Sequence, residues 1–281
     1  VYIADMRQEL KTGNRTIFSR KLYELISDRL NKHEQIMLFL NKRGTAGFVS
    51  CRSCGYVMKC PHCDVSMTLH RNGKLVCHYC GYETPNVSLC PECGSKYILG
   101  FKAGTEAVED AVNKMFPAAR VLRMDMDTTK GKGGHENILS AFATEQADIL
   151  IGTQMIVKGH DFPKVTLVGV VAADISLYAS DYKAVERTFQ LITQAAGRAG
   201  RGERKGEVVI QTYSPDNYGL LCAAEQNYKS FYEQEMSYRK LLSYPPVNNM
   251  VKINISSINE KLLSERAGNI KALIQQYIQD N

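Results

Sequence analysis

The chain contains 281 residues, of which 44% are hydrophobic and 23% are charged, and its formal net charge at pH 7 is +6. These values predict a globular protein with room for an α/β domain and an added module. Because no stretch approaches the roughly 20 uninterrupted apolar residues of a membrane helix and the N-terminus lacks the character of a signal peptide, the sequence excludes a membrane-spanning helix and predicts a soluble, cytoplasmic protein.

The positive charge is weak evidence for a nucleic-acid partner. Eight of the nine cysteines lie in one segment, and eight thiolates with two bound Zn²⁺ ions would cancel most of the excess charge. Only local residues can therefore indicate a contact with DNA. The chain begins at Val1 rather than methionine and ends just after an amphipathic stretch, which predicts that it belongs to a longer protein.

Residues 1–48 are predicted to form the first part of an α/β domain. Ser19 is placed to cap a helix, and the apolar run from Gln35 to Leu40 predicts a buried strand. The predicted helix carries four apolar residues on one face: Leu22, Leu25, Ile26 and Leu30.

Residues 49–100 contain four CxxC pairs and are predicted to form a zinc-binding insertion. Each pair can present two sulfurs to one tetrahedral ion from a single tight turn. The glycines that follow three of the pairs, Gly55, Gly81 and Gly94, would let amide N–H groups point at the sulfurs. Disulfides would instead require an oxidising compartment that nothing else in the sequence supports. The predicted ligands are Cys51, Cys54, Cys60, Cys63, Cys77, Cys80, Cys90 and Cys93.

Two structural Zn²⁺ ions with four cysteines each could use the pairs sequentially or in a nested arrangement. The nested arrangement puts the first and last pairs on one ion and the two middle pairs on the other, as expected for an insertion that leaves and re-enters its host domain at one point. Three histidines, His62, His70 and His78, could replace thiolates, but eight thiols already satisfy two ions. Cys222 stands apart and is predicted to be a buried small apolar residue.

Residues 101–214 alternate between predicted helices and strands. A helix follows Gly104 with Thr105 as a possible N-cap, and strands are predicted in ARVLRMD, ADILIGT, VTLVGVVAAD and EVVIQT, with helices over ENILSAFA and KAVERTFQLITQAAG. Strands rich in Val, Ile and Leu and separated by helices indicate a parallel sheet that is covered on both faces.

Ligands bind at the carboxyl ends of the strands in such a sheet, and two loops are candidates for ligand binding. They are GTQMIVKGHDFP, which begins at Gly152, and QAAGRAGRG, which begins at Gln194; both are predicted to be strand-to-helix connections. In the second, Arg198 and Arg201 are one helical turn apart and could bind a polyphosphate together. Three glycines in that segment, Gly197, Gly200 and Gly202, would let another surface approach closely.

The remainder of the chain divides into a helical linker, residues 215–243, and the start of a C-terminal α+β domain, residues 244–281. The linker carries a methionine and aromatic stripe of the kind that is usually core, comprising Tyr228, Phe231, Tyr232, Met236 and Tyr238. The prolines that follow Tyr244 end the helix, and the alternation in MVKINISS predicts a strand.

Several of these segments, taken in order, resemble the PriA family of replication-restart helicases in superfamily 2. GTQMIVKGHDFP resembles helicase motif V and QAAGRAGRG resembles motif VI. The resemblance also covers FLNKRG, the eight cysteines, GTEAVEDAV, RMDMDTT, SDYKAVERTFQLITQAAGRAGR and LSYPP, and so nearly the whole chain. It implies a RecA-like parallel sheet, the second motor lobe, with an inserted two-zinc module.

The family mechanism implies roles for eight further residues. Arg198 and Arg201 would act as arginine fingers on the γ-phosphate of ATP, with Gln194 at the nucleotide or the attacking water. Gly159 and Asp161 would lie beside the nucleotide, and Thr153, Gln154 and Lys158 would bind DNA. The chain contains no GxxxxGK[ST] motif and no DExH box, so the resemblance implies that ATP and Mg²⁺ bind only in the complete protein and that this chain alone is inactive.

The resemblance further implies an ATP-dependent 3′ to 5′ DNA helicase that recognises forked or single-stranded DNA and unwinds it for primosome assembly. Its partners would be single-stranded DNA-binding protein, primosome components and helicase-loader proteins, with no membrane contact, and it would be a monomer associated with the bacterial nucleoid. The carboxylates Asp174, Asp181 and Glu186 are expected to order the loop before motif VI or to pair with Arg187 rather than to do chemistry.

Two other classes of protein also use CxxC pairs. A zinc-ribbon module that binds nucleic acid or protein without motor activity, such as the cysteine-rich part of a J-protein chaperone, would need repeated CxxCxGxG, which is absent here. A redox enzyme would need one exposed pair with a low thiol pKa, whereas eight thiols at ligand spacing favour metal binding. The tyrosines beside the pairs, Tyr56, Tyr79 and Tyr82, could stack on bases or cover a small core.

Overall fold

The computed structural model describes residues 1–40, 47–70, 72–100, 104–125, 127–129, 134–153, 156, 162–200, 204–251, 253 and 255–280. The chain divides into two compact units, Val1–Tyr238 and Arg239–Asn281. The first unit contains a parallel sheet and the cysteine-rich segment.

The six strands of the main sheet are all parallel and lie in the order β1-β11-β10-β2-β9-β8. They are β1 (Tyr2–Asp5), β2 (Gln35–Phe39), β8 (Val121–Met124), β9 (Ile149–Gly152), β10 (Val165–Val170) and β11 (Glu207–Thr212). The predicted parallel α/β sheet is therefore confirmed. The edge strand β1 was not predicted.

Both faces of the sheet are covered by helices. Within β2, Ile36 and Leu38 point into one apolar core and Met37 and Phe39 point into the other. This is why a buried parallel strand reads as a continuous apolar run rather than as an alternating one. The helices described up to residue 224 are α1 (Met6–Lys11), α2 (Arg20–Asn31), α3 (Thr105–Met115), α4 (Gly134–Ala143), α5 (Asp174–Leu177), α6 (Ala184–Ala196) and α7 (Tyr218–Ala224).

The helix caps show one correct and one wrong prediction. Ser19 caps α2 as expected, because its side chain accepts a hydrogen bond from the backbone N–H of Leu22. Thr105 does not cap α3; the N-cap is Gly104, and the Thr105 hydroxyl donates to Asp125 Oδ2 at 2.7 Å instead.

The cysteine-rich segment leaves and returns to the lobe through two neighbouring strands. β3 (Val49–Cys51) and β7 (Ile98–Gly100) pair in an antiparallel manner at its base. Between them, β4 (Thr68–Leu69), β5 (Lys74–Val76) and β6 (Glu83–Pro85) form a small antiparallel sheet. Because four cysteines belong to its small buried core, the segment depends on its cysteines for packing.

Two helices complete the described structure, α8 (Tyr228–Leu241) and α9 (Glu260–Asp280). In the methionine and aromatic stripe of α8, Phe231 is buried, but Tyr228 is 65% exposed and Tyr232 is 52% exposed, so the stripe is only partly core. The strand predicted in 250–257 does not form in the described residues of that segment, where no partner strand supplies the hydrogen bonds it would need. Residues 252 and 254 lie outside the described part. No described helix is both long and apolar enough to cross a bilayer.

Candidate functional site

The four CxxC pairs fold into the same turn. In each, the backbone N–H of the residue after the second cysteine donates to the carbonyl oxygen of the first cysteine at 2.8–3.0 Å. The backbone N–H of the first cysteine closes the turn by donating to the carbonyl oxygen five residues later, at 2.7–2.9 Å. Each pair therefore presents two sulfurs on the same side of a tight backbone loop.

The residue after each pair has a left-handed backbone conformation. Three of these residues are the glycines noted in the sequence, with φ between +69° and +84°. The fourth is Asp64, with φ of +49°. Aspartate enters this region more readily than most residues with a side chain, so Asp64 completes a turn that the glycine pattern alone did not reveal.

The eight sulfurs fall into two groups of four, and in each group all sulfurs lie within 4.8 Å of one another. One group contains Cys51, Cys54, Cys90 and Cys93, and the other contains Cys60, Cys63, Cys77 and Cys80. These are the memberships of the nested arrangement. We call them the outer tetrad and the inner tetrad.

The sulfur spacing fits tetrahedral zinc. The Sγ atoms of Cys51 and Cys93 are 3.7 Å apart, as are those of Cys54 and Cys90, and those of Cys60 and Cys80 are 3.5 Å apart. A Zn–S bond of about 2.3 Å in a tetrahedron requires S···S separations of about 3.8 Å. The two tetrads are thus compatible with two zinc ions.

The electrostatics of the tetrads also call for a cation. Burial raises the pKa of the Cys54 thiol to about 12, and burial raises the pKa of Cys63 as well. Backbone N–H groups of the turns donate to several of the sulfurs, including the N–H of Cys54 to Cys51 and that of Tyr82 to Cys80. When bound, Zn²⁺ would supply the positive charge that holds all four sulfurs as thiolates.

The histidines and the ninth cysteine lie outside both tetrads. The Nε2 atoms of His70 and His78 are 3.4 Å apart, and the ring of His62 packs edge-on against Tyr82. Cys222 is buried in the main core, as predicted.

The cysteine-rich segment lies at the carboxyl edge of the main sheet. Its first turn contacts Tyr213, which directly follows β11, and Arg7 Nη1 donates to the carbonyl oxygen of Cys54 at 3.4 Å. A cavity of about 470 Å³ lies where this segment meets the strand ends. Its lining includes Arg15, Arg52 and Tyr97. This edge therefore combines positive charge with an exposed aromatic ring.

Thr153 of the motif V segment lies at the same carboxyl edge, directly after β9. The preceding Gly152 has no room for a side chain, because a Cβ atom there would lie 2.5 Å from Ile156 Cγ2 and 2.8 Å from the carbonyl oxygen of Met124. The other predicted residues of this segment, Gln154, Lys158, Gly159 and Asp161, lie outside the described residues.

The motif VI segment lies at the opposite edge of the sheet. Gln194 is exposed near the end of α6 and Arg198 follows the helix, while the backbone N–H of Gly200 donates to the carbonyl oxygen of Val165, the first residue of β10, at 3.0 Å. The assignment of QAAGRAGRG to a strand-to-helix connection was therefore wrong. A helix that follows a strand in a parallel sheet returns to the amino edge before the next strand begins, and α6 does so.

Gly200 of motif VI is required by a close approach of the chain's own backbone. Gly200 has φ of +73°, and a Cβ atom there would lie 2.3 Å from the backbone nitrogen of Gly206. The surface that approaches Gly200 is therefore the backbone of Gly206 in the same chain. Gly197 differs, because a Cβ atom there would make ordinary contacts at 3.5 Å. Arg201 and Gly202 lie outside the described residues.

The carboxylates before motif VI hold loops in place. Asp174 is buried and accepts hydrogen bonds from the Thr212 hydroxyl and the Tyr213 N–H at the end of β11. Asp181 pairs with Arg187 at 2.6 Å, and Glu186 accepts from Gln190 at 3.3 Å. The contacts of Asp174 and Asp181 agree with the ordering role expected from the sequence, whereas the Glu186 contact with Gln190 lies within α6.

Two family profiles match the chain. The profile of the PriA DNA helicase Cys-rich region (CRR) domain matches residues 60–85, and that of the helicase conserved C-terminal domain matches residues 94–203. They cover the inner tetrad and the segment that carries motifs V and VI.

Named relatives match over most of the chain. The replication restart protein PriA of Bacillus subtilis is 53% identical over 257 residues, which are 91% of this chain and 32% of that protein. PriA of Synechocystis sp. is 45% identical over 283 residues, 99% of this chain and 34% of that protein. PriA of Chlamydia trachomatis is 43% identical over 90% of this chain and 34% of that protein. The chain spans about a third of the length of each relative. It belongs to the PriA family of replication restart helicases and contains that family's cysteine-rich zinc region and helicase C-terminal domain.

Proposed function

We propose that this chain forms the second motor lobe of an ATP-dependent DNA helicase of replication restart, which moves 3′ to 5′, recognises forked DNA and unwinds it for primosome assembly. In the native-length protein, single-stranded DNA-binding protein, primosome components and helicase loaders would be its partners. The observation that carries the proposal is the division of the motifs between two edges of one sheet, with Thr153 at one and Arg198 at the other.

At the carboxyl edge, the proposal assigns DNA binding to Thr153, and it extends this role to Gln154 and Lys158 of the same motif. Arg15, Arg52 and Tyr97 around the cavity at the same edge support this assignment, because single-stranded DNA is bound by cations along its backbone and aromatic rings under its bases. The zinc region, on the same edge, would help to separate strands at the fork.

The proposal assigns ATP chemistry to Gln194 and Arg198 at the amino edge and to Arg201, which follows them in the sequence. It also assigns Gly159 and Asp161 of the motif V segment to the nucleotide. The guanidinium groups would stabilise negative charge that develops on the γ-phosphoryl group during transfer. The close approach of Gly200 to Gly206 supports this role, because it fixes the backbone that directly follows Arg198. Mg²⁺ and the remaining catalytic groups would come from the other lobe, so the 281-residue chain alone would not hydrolyse ATP.

The test is the ATPase rate of the native-length protein, with and without forked DNA, in Arg198→Ala and Arg201→Ala variants. The matched control is Lys205→Ala, which removes an exposed cation next to the same segment. We expect loss of stimulated ATPase by about 10³-fold in the arginine variants, little change in the control, and two zinc ions in all. If DNA does not stimulate the wild-type protein, the motor assignment fails and a zinc-ribbon binding module without motor activity becomes the better description.

A further inference from the structure

The loop that precedes α6 lies against the cysteine-rich segment. The Ser66 hydroxyl donates to the carbonyl oxygen of Tyr178 at 2.5 Å, and the Ser180 hydroxyl donates to the carbonyl oxygen of Ser66 at 2.9 Å. The hydroxyls of Thr68 and Ser180 are 3.0 Å apart. Residues 178–182 are thus hydrogen-bonded to the zinc region before the helix begins.

Asp181 is the junction between this loop, the inner tetrad and the helix. Tyr79, which lies within the third CxxC turn, donates its hydroxyl to Asp181 Oδ1 at 3.4 Å and accepts the backbone N–H of Tyr182 at 3.1 Å. Asp181 Oδ1 also accepts the N–H of Lys183 at 3.0 Å, and Asp181 Oδ2 pairs with Arg187 in the first turn of α6 at 2.6 Å. One carboxylate therefore contacts both the metal-binding turn and the helix.

Helix α6 connects the Asp181 junction to the opposite edge of the sheet. α6 has 13 residues, and at about 1.5 Å per residue it extends about 20 Å from the carboxyl edge to the amino edge. Its buried side chains, among them Phe189 and Ile192, pack into the main core, so the helix is held as a rigid element. Gln194 lies near its far end and Arg198 just beyond.

We propose that Asp181 is a positioning residue that couples the zinc region to motif VI through α6. When DNA engages the zinc region, the Tyr79–Asp181–Arg187 contacts set the position of α6 and hence of Arg198 at the amino edge. This inference rests on the proposed function, because it concerns how DNA stimulates ATP hydrolysis.

The expected effect is moderate. The side chain of Asp181 is 28% exposed and that of Arg187 is 51% exposed, so water screens the ion pair. Loss of the Tyr79 hydroxyl should therefore lower the rate of forked-DNA-stimulated ATP hydrolysis about threefold to tenfold, which corresponds to the free energy of a single hydrogen bond.

The experiment compares Tyr79→Phe with Tyr82→Phe in the native-length protein. Tyr82 lies just after the same CxxC pair and is 37% exposed, and its hydroxyl makes no hydrogen bond within the described part of the chain. We expect Tyr79→Phe to lower the plateau of forked-DNA-stimulated ATPase about threefold to tenfold. The DNA concentration for half-stimulation, the DNA-free ATPase rate and the zinc content should not change. Tyr82→Phe should match the wild type.

A double-mutant cycle separates coupling from general damage. Arg187→Met keeps much of the aliphatic stem but removes the charge that Asp181 binds. If Tyr79 and Arg187 act through Asp181, the Tyr79→Phe/Arg187→Met variant should be no worse than the more severe single variant.

Three outcomes overturn the inference while leaving the motor assignment intact: equal plateaus for Tyr79→Phe and Tyr82→Phe, multiplicative effects in the double variant, or loss of zinc from Tyr79→Phe. Absence of any DNA stimulation in the wild-type protein overturns the proposed function and this inference together.

Discussion

Gly55 of the first CxxC turn lies directly against Tyr213 at the end of β11. A Cβ atom at Gly55 would be 2.2 Å from the carbonyl oxygen of Tyr213, far inside any real contact distance. The zinc region thus reaches the main sheet through a position where only a glycine fits.

Gly55→Ala should weaken the packing of the zinc region on the sheet. The change has a cost of about 1–2 kcal/mol from the left-handed backbone and about 1–3 kcal/mol from the clash. Gly94→Ala is the matched control, because Gly94 has φ of +69° but nothing within 4 Å of a Cβ atom. Thermal unfolding and limited proteolysis of residues 49–100 would show the difference. Equal losses in both variants would contradict the close contact.

Gly200→Ala should destabilise the motif VI segment by at least about 2 kcal/mol, because φ is positive and the Gly206 backbone occupies the space. Gly197→Ala should have little effect on stability, since its new methyl group would meet neighbours at 3.5 Å. Calorimetric unfolding of the two variants tests this pair. A large loss at Gly197 with none at Gly200 would show that the close approach of Gly200 to Gly206 is misplaced.

The nested arrangement predicts which cysteines share an ion. The Cys54→Ser/Cys93→Ser variant should bind one metal ion, because both residues belong to the outer tetrad. A sequential arrangement would place these residues on different ions and disrupt both sites. Metal content and the thiolate spectrum of Co²⁺-substituted protein distinguish the two results, with Cys222→Ser as a control that should keep two ions.

Asp174 predicts a pH dependence of stability. Burial raises the pKa of Asp174 to about 6 from its ordinary value of 3.8, so the folded state holds this proton more tightly than the unfolded state. The free energy of unfolding contributed by this group is therefore highest at low pH and falls as pH rises through about 4–6. Because thiolate protonation releases zinc in acid, the useful range is pH 5–7.5, where we expect the wild type to lose about 1 kcal/mol relative to Asp174→Asn. Denaturant unfolding of both proteins across this pH range measures the difference in their free energies of unfolding. A difference that stays constant with pH would contradict the raised pKa of Asp174.

Local patterns in the sequence predicted much of the fold. Apolar runs predicted five of the six strands of the main sheet, β2, β8, β9, β10 and β11, because strands buried on both faces are continuously apolar. Ser19 predicted the start of α2, because a capping side chain lies next to the helix it caps. The edge strand β1 has only one neighbour and four residues, so its signal was too weak to detect.

The long-range relationships could not be predicted. Gly55 contacts Tyr213, and Tyr79 contacts Asp181, although each pair is more than 100 residues apart in the sequence. The close approach of Gly200 to Gly206 depends on how the chain turns between them. The CxxC spacing predicted the metal ligands, but it left their grouping open because either arrangement satisfies tetrahedral zinc. The edge on which motif VI lies depends on the path of α6 across the sheet, which no local pattern in the sequence specifies.

The most direct measurement is strand separation by the native-length protein on two partial duplexes that differ only in whether the single-stranded tail is 3′ or 5′. With ATP, we expect the protein to unwind the duplex by moving 3′ to 5′ along one strand. Arg201→Ala should lose that unwinding while two zinc ions remain bound. Unwinding that does not require ATP, that runs in the other direction, or that survives Arg201→Ala unimpaired would contradict the proposed function.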